Sequence, residues 1–230
     1  VIAVRAVVFD LDGTLIDSVP DIAAALNRCL DAEGRTPLSE VGVARLVGGG
    51  ARELVARALG DATPDTEIDR VHANFLAHYD AEPVSRTRLY PGTRELLSEL
   101  CAAGLPLAIC TNKPQPLTDL ILARLDLAPY FATAWGAGPG KPLKPDAACL
   151  RTVCRTLGSM PAETVMVGDS HTDVDAARAA GCPSILVAHG YEQRPLESLG
   201  ADTVVAGLPE AGLEIARWRG KVVSGLRHPA

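Results

Sequence analysis

"VVFDLDGTLIDS", residues 7–18, decides how the chain is read. An apolar run ends on Asp10, and a second carboxylate, Asp12, follows ahead of Gly13 and Thr14. Short apolar runs bounded by turn residues read as strands buried on both faces. Residues 4–9 therefore predict such a strand, with two acids just past its end. Residues at i and i+2 of an extended chain share one side. One carboxylate placed this way can be a nucleophile while its neighbour moves protons. Two acids so close repel, which calls for a cation.

Beyond this stretch the pattern turns helical and Ala-rich. Ser18 with Asp21 resembles a capping box, and Pro20 suits a first turn. The spacing of apolar residues predicts a helix ending at Gly34, then helices near 39–47, 51–59 and 64–80. After "YPG" at 90–92 the rhythm changes. Helices over 93–104, 116–127, 146–158, 173–181 and 209–217 alternate with strands over 105–111, 131–135, 164–169, 183–188 and 202–206. Such alternation implies parallel strands joined by crossover helices. The expected fold is α/β: a Rossmann-like parallel sheet core with helices on both faces. A small helical cap is expected as an insert after the first strand. The core is assigned to 1–17 and 88–230, the cap to 18–87, and the basic tail 217–230 reads as surface or disordered.

Composition narrows the function. The chain has 230 residues, 47% of them hydrophobic, enough for a sizeable core. Its net charge of −6, with no basic stripe, argues against a nucleic-acid partner. No apolar stretch approaches a membrane span, and the N-terminus lacks the features of a signal peptide. A soluble cytoplasmic protein is expected. The six cysteines show no CxxC pair and read as buried thiols in a reducing compartment.

Asp10, Thr111 and Asp169 each close a predicted strand. Ligands of open parallel sheets bind at that edge, so three distant segments can share a site. An Asp-rich set of oxygens suits Mg²⁺ better than zinc. Asp169 is the natural third ligand, and Asp173 lies one helical turn on. The hydroxyl of Thr111 and the backbone N–H groups of Thr111-Asn112-Lys113 can bind phosphate oxygens. Lys144 can neutralise a phosphate while Asp146 caps the next helix, with Lys141 as the competing lysine. Other motifs fail. An EF-hand starting at Asp10 would need Gly and Glu where Leu15 and Asp21 stand. "GAGPGKP", 136–142, satisfies neither a dinucleotide loop nor a P-loop, and no GxSxG occurs.

Together "DLDGT" (10–14), "CTN" (110–112), "LKP" (143–145) and "GDSHTD" (168–173) resemble the haloacid dehalogenase superfamily of phosphohydrolases. "DLDGTLIDSVPDIAAALN" with "VGGGARELVARAL" looks closest to its bacterial phosphoglycolate phosphatases. The resemblance implies that Asp10 forms an aspartyl-phosphate and that Asp12 protonates the leaving group and then activates water. It implies that Thr111 and the Asn112 amide hold phosphoryl oxygens and that Lys144 offsets charge. It also implies that Asp10, Asp169 and the Asp12 backbone carbonyl bind Mg²⁺, with Asp173 in support. Dehalogenases and phosphonatases of the superfamily lack the second Asp, and β-phosphoglucomutases usually carry Val where Thr14 stands. The implied function is therefore a Mg²⁺-dependent phosphatase of a small phosphorylated metabolite. Phosphoglycolate leads; another metabolite, such as N-acetylmuramate 6-phosphate, or a mutase activity is the alternative. Substrate choice is expected in the cap, at Gly49, Gly50 and Arg52, where Gly49 replaces the family's more frequent Asn. Monomer and homodimer both stay open.

Overall fold

The computed structural model describes residues 4–220. β1 (Ala6–Phe9) is the first element of the described chain, and a short strand β2 (Ile16–Asp17) follows the acidic turn. Helices α1 (Val19–Ala32), α2 (Glu40–Ala44), α3 (Ala51–Leu59) and α4 (Asp65–Ala81) come next. A second short strand, β3 (Arg88–Leu89), precedes α5 (Thr93–Ala102). Then β4 (Leu107–Pro114), α6 (Gln115–Arg124), β5 (Thr133–Ala137), α7 (Ala147–Leu157) and β6 (Thr164–Gly168) alternate. The described chain closes with α8 (His171–Ala180), β7 (Ser184–Val187), β8 (Thr203–Val205) and α9 (Leu208–Gly220).

Six strands form one parallel sheet in the order β5-β4-β1-β6-β7-β8. Alternation along β1 splits its side chains between two layers. Val7 and Phe9 pack with residues of α5, α6 and α9, whereas Val8 packs with α7 and α8. Both faces are thus covered, which is why the strand reads as continuously apolar. Full burial of each such side chain is worth about 1.5–3 kcal/mol. The larger cluster continues through Leu11, Leu15 and Ile16 into Ile22, Leu54 and Phe75 of α1, α3 and α4.

Several details depart from the sequence reading. β2 and β3 pair antiparallel, Ile16 opposite Leu89 and Asp17 opposite Arg88, so the chain leaves and rejoins the sheet domain through one ribbon. Residues this short and mixed carry no strand signal of their own. Ser18 and Asp21 form no capping box. Asp21 instead accepts from the backbone N–H groups of Arg86 and Thr87 and from Thr87 Oγ1. β4 runs three residues past Thr111, and β5 begins two residues later than expected. Cys101 is exposed, while the other five cysteines are buried. Of the tail read as surface or disordered, residues 217–220 belong to α9 and 221–230 lie outside the described residues. No helix among the described residues is long and apolar enough to cross a membrane.

Candidate active site

β1 lies between β4 and β6, with Phe9 in register with Ile109 on one side and Val167 on the other. The residues that follow these three positions therefore meet at one edge. Asp10, Asp12, Thr111, Asn112, Lys144 and Asp169 all line a single cavity of about 1090 Å³. Gly48, Gly49, Gly50, Leu54, Phe75 and Tyr79 close it from the helical side.

Carboxylate oxygens of Asp10, Asp169 and Asp173 lie within 4.8 Å of one another, and all three residues are buried. One cation stands among them: Lys144 Nζ is 2.8 Å from Asp10 Oδ1 and 2.6 Å from Asp173 Oδ1. The contact to Asp173 is a hydrogen bond, whereas that to Asp10 is an ion pair, and buried Asp10 Oδ1 has no hydrogen-bond partner among the described residues. Burial pushes the Asp10 carboxyl up to about 6, against the pull of Lys144 and with Asp173 adding to the rise. Burial likewise drives Asp169 well above the usual carboxylate range, helped by Asp173 and Asp10. Burial opposes the Lys144 charge, but Asp10 and Asp173 outweigh it and hold the ammonium charged. Three hard carboxylates, one lysine and an orphaned oxygen fit a divalent cation with a preference for oxygen, such as Mg²⁺.

The cluster is fixed by its surroundings. Asp169 accepts from Thr14 Oγ1 at 3.2 Å and from the backbone N–H of Tyr191 at 2.7 Å. Gly13 sits at φ +84° against it, and a Cβ there or at Gly190 would overlap the Asp169 carboxylate. Asp173 Oδ2 accepts from the backbone N–H and hydroxyl of Ser170, the residue that opens α8, which leaves Oδ1 for Lys144.

The Asp12 carboxylate lies outside this cluster. It accepts from Ser18 Oγ at 2.5 Å and from Lys113 Nζ at 2.9 and 3.1 Å. Lys113 also donates to the Tyr79 hydroxyl at 2.7 Å. The two acids of the opening stretch are therefore divided, one facing Lys144 and the other Lys113. Lys113 lies beyond the strand end that the sequence predicts at Thr111, within the observed β4.

The register of β4 with β5 shifts between Cys110 and Pro114, so Thr111, Asn112 and Lys113 bulge out of the ladder toward the cavity. Thr111 Oγ1 accepts from the backbone N–H of Lys113. Its hydroxyl proton meets no acceptor among the described residues. The Asn112 side chain is fully used: it donates to the carbonyls of Gly48 and Lys144 and accepts from the Lys144 backbone N–H. What it leaves for a ligand is its backbone. Lys141 turns away from the site, bonding Gln115 and lying 4.7 Å from the Trp135 ring centroid. Of Lys141 and Lys144, it is Lys144 that lines the cavity.

Arg52 is not brought to the cavity. It pairs with Asp65 and Asp69, both at 2.7 Å, on the exposed side of α4. Arg45 and Arg57 line the cavity instead, beside Gly49 and Gly50. At its rim, Glu192 gathers the His171 backbone N–H and ring together with Arg194. Burial raises the Glu192 pKa, but these donors outweigh it and hold the carboxyl ionised. Neither Tyr191 nor Glu192 carries a sequence signal, since both follow β7 in an irregular loop.

Residues 4–181 match the haloacid dehalogenase-like hydrolases. A phosphoglycolate phosphatase of Rhodospirillum rubrum is 42% identical over 204 residues, covering 86% of this chain and 85% of its own. One from Chromobacterium violaceum is 40% identical over 211 residues, covering 90% and 94%. The crystal structure of a predicted phosphoglycolate phosphatase from Haemophilus somnus superposes with a TM-score of 0.86 at 29% identity, covering 93% of this chain and 98% of that one.

Proposed function

The chain belongs to the haloacid dehalogenase-like hydrolases and is a phosphoric monoester hydrolase, and from that premise we propose that it hydrolyses 2-phosphoglycolate through a phosphorylated Asp10. The observation that supports this reading is that the two acids stand in one cavity with different cation partners. Asp10 lies at 2.8 Å from Lys144, and Asp12 is held by Lys113 and Ser18 in the same cavity.

In the first half-reaction an Asp10 oxygen attacks phosphorus in line. The bond from phosphorus to the leaving oxygen breaks, and Asp12 gives that oxygen a proton. In the second, a water attacks the aspartyl-phosphate and loses its proton to Asp12. The bond from phosphorus to Asp10 breaks, restoring the carboxylate and releasing phosphate. Thr111, the Asn112 backbone and Lys144 hold the phosphoryl oxygens throughout. Phosphoryl transfer asks mostly for positioning and charge stabilisation, which these groups supply. Asp10, Asp169 and the Asp12 backbone carbonyl would hold Mg²⁺, with Asp173 in support; the ion would supply positive charge against the crowded carboxylates and the phosphate.

A second reading keeps the chemistry and enlarges the substrate. A cavity of about 1090 Å³ exceeds what a two-carbon ester needs and would take a sugar phosphate such as N-acetylmuramate 6-phosphate. A panel of phosphorylated metabolites ranked by kcat/KM, with and without Mg²⁺, separates the two. The reading predicts 2-phosphoglycolate at the head of the panel, dependence on Mg²⁺, and no turnover by Asp10→Asn. Turnover surviving in Asp10→Asn would overturn the mechanism, and a sugar phosphate at the head would overturn the substrate.

A further inference from the structure

Lys113 is an expensive residue to bury. Its side chain is 2% exposed, and within the cavity it meets one charge partner, Asp12. Its third N–H is spent on the Tyr79 hydroxyl, carried by α4 from the opposite wall. Tyr79 is itself 2% exposed, and burial raises its phenol to about 12, so it remains a donor at neutral pH. Yet that hydroxyl only accepts: its proton meets no acceptor among the described residues. A buried hydroxyl with an unspent proton beside a buried ammonium is a ready-made anion seat. Apolar Ile22, Leu54, Phe75 and Leu117 line the same cavity and would strengthen any charge interaction there.

Position says which anion. Asp12 is the group assigned to protonate the leaving oxygen, so the leaving group must lie beside it. Lys113 Nζ is 2.9 Å from Asp12 Oδ1, on that same side. An anionic group within two bonds of the ester oxygen falls within reach of both Lys113 and Tyr79. We propose that Lys113 and Tyr79 form a clamp, one jaw on the sheet and one on the helical insert, for a carboxylate on the leaving group. Selection for a short phosphorylated carboxylic acid is then made at this pair and not at the exposed Arg52. The assignment rests on the phosphatase reading and deepens it.

The test compares two esters that differ in that group alone. 2-Phosphoglycolate carries the carboxylate, and 2-hydroxyethyl phosphate carries a neutral CH₂OH in its place. The readout is the ratio of their kcat/KM values, so that any effect of Lys113 on Asp12 cancels. Wild type is expected to favour the carboxylate ester. In Tyr79→Phe, which keeps the ring and its packing, the ratio should fall about three- to tenfold. In Lys113→Met it should fall tenfold or more, as expected when a buried anion loses its neighbouring cation. A wild-type preference that persists unchanged in Tyr79→Phe and in Lys113→Met overturns the clamp and leaves the phosphoglycolate reading standing. A wild type that hydrolyses the neutral ester and not 2-phosphoglycolate overturns that reading, and the clamp with it.

Discussion

Lys144 and Asp173 form an ion pair of 2.6 Å in which each side chain is 2% exposed. Because Asp173 is held from behind by Ser170, the pair sets where the lysine can stand before any phosphate arrives. Breaking a buried pair from one side leaves an uncompensated charge, at about 3–5 kcal/mol. Lys144→Met is therefore expected to lower the denaturation midpoint markedly as well as to abolish turnover. Urea titration with and without Mg²⁺ checks this, and the loss should be smaller with the ion present.

Stability should depend on pH through Asp10. Its folded pKa of about 6 lies above the ordinary carboxylate value, so the folded protein holds a proton that the unfolded chain has lost. The metal-free protein therefore loses stability as pH rises from about 4 through 6, by an amount on the order of 3 kcal/mol. Melting curves in EDTA should fall across that window, and the Asp10→Asn variant should lack this part of the slope. Mg²⁺ at neutral pH should recover it, because a cation favours the ionised carboxylates.

Gly190→Ala places a methyl group into the space of the Asp169 carboxylate. The backbone can adjust in a loop, so the fold should survive while the acid moves. A displacement of about 1 Å at a reacting centre costs about a hundredfold in rate. We expect kcat to drop by that order with the melting temperature changed by only a few degrees, measured by steady-state kinetics and calorimetry.

Asn112→Ala removes the donors to Gly48 and Lys144 and the acceptor for the Lys144 backbone N–H. Leaving those groups without partners costs about 1–3 kcal/mol. The variant should melt earlier and show a raised KM, since one of the lost bonds ties the sheet edge to the glycine run of the insert.

Arg52→Ala is the contrasting case. Its partners Asp65 and Asp69 are 82% and 63% exposed, and exposed pairs contribute about 0–1 kcal/mol. The kcat/KM for 2-phosphoglycolate should stay within about threefold of wild type. A larger loss would return Arg52 to the site.

The opening stretch was legible because its signal is local. An apolar run ending in Asp10-Leu-Asp12-Gly13 marks a buried strand, a turn and two acids with no help from the rest of the chain. The strand ends at Thr111 and Asp169 carry the same mark, and the parallel alternation of strands and helices placed all three at one edge. The partners of these acids were not legible. Lys113 reaches Asp12 because a bulge in β4 turns it out of the ladder, and that bulge depends on pairing with β5. Tyr79 meets Lys113 across 34 positions, and the Tyr191 N–H reaches Asp169 from a loop with no periodic pattern. Arg52 stood at a plausible spacing, yet α4 presents two acids to it and keeps it outside. The sequence by itself determined the fold class and the acids, because hydrophobic period and strand ends are properties of short segments. Only the tertiary structure decided which cation serves which acid, because an ion pair depends on distances of a few ångströms between segments whose relative placement no local pattern encodes.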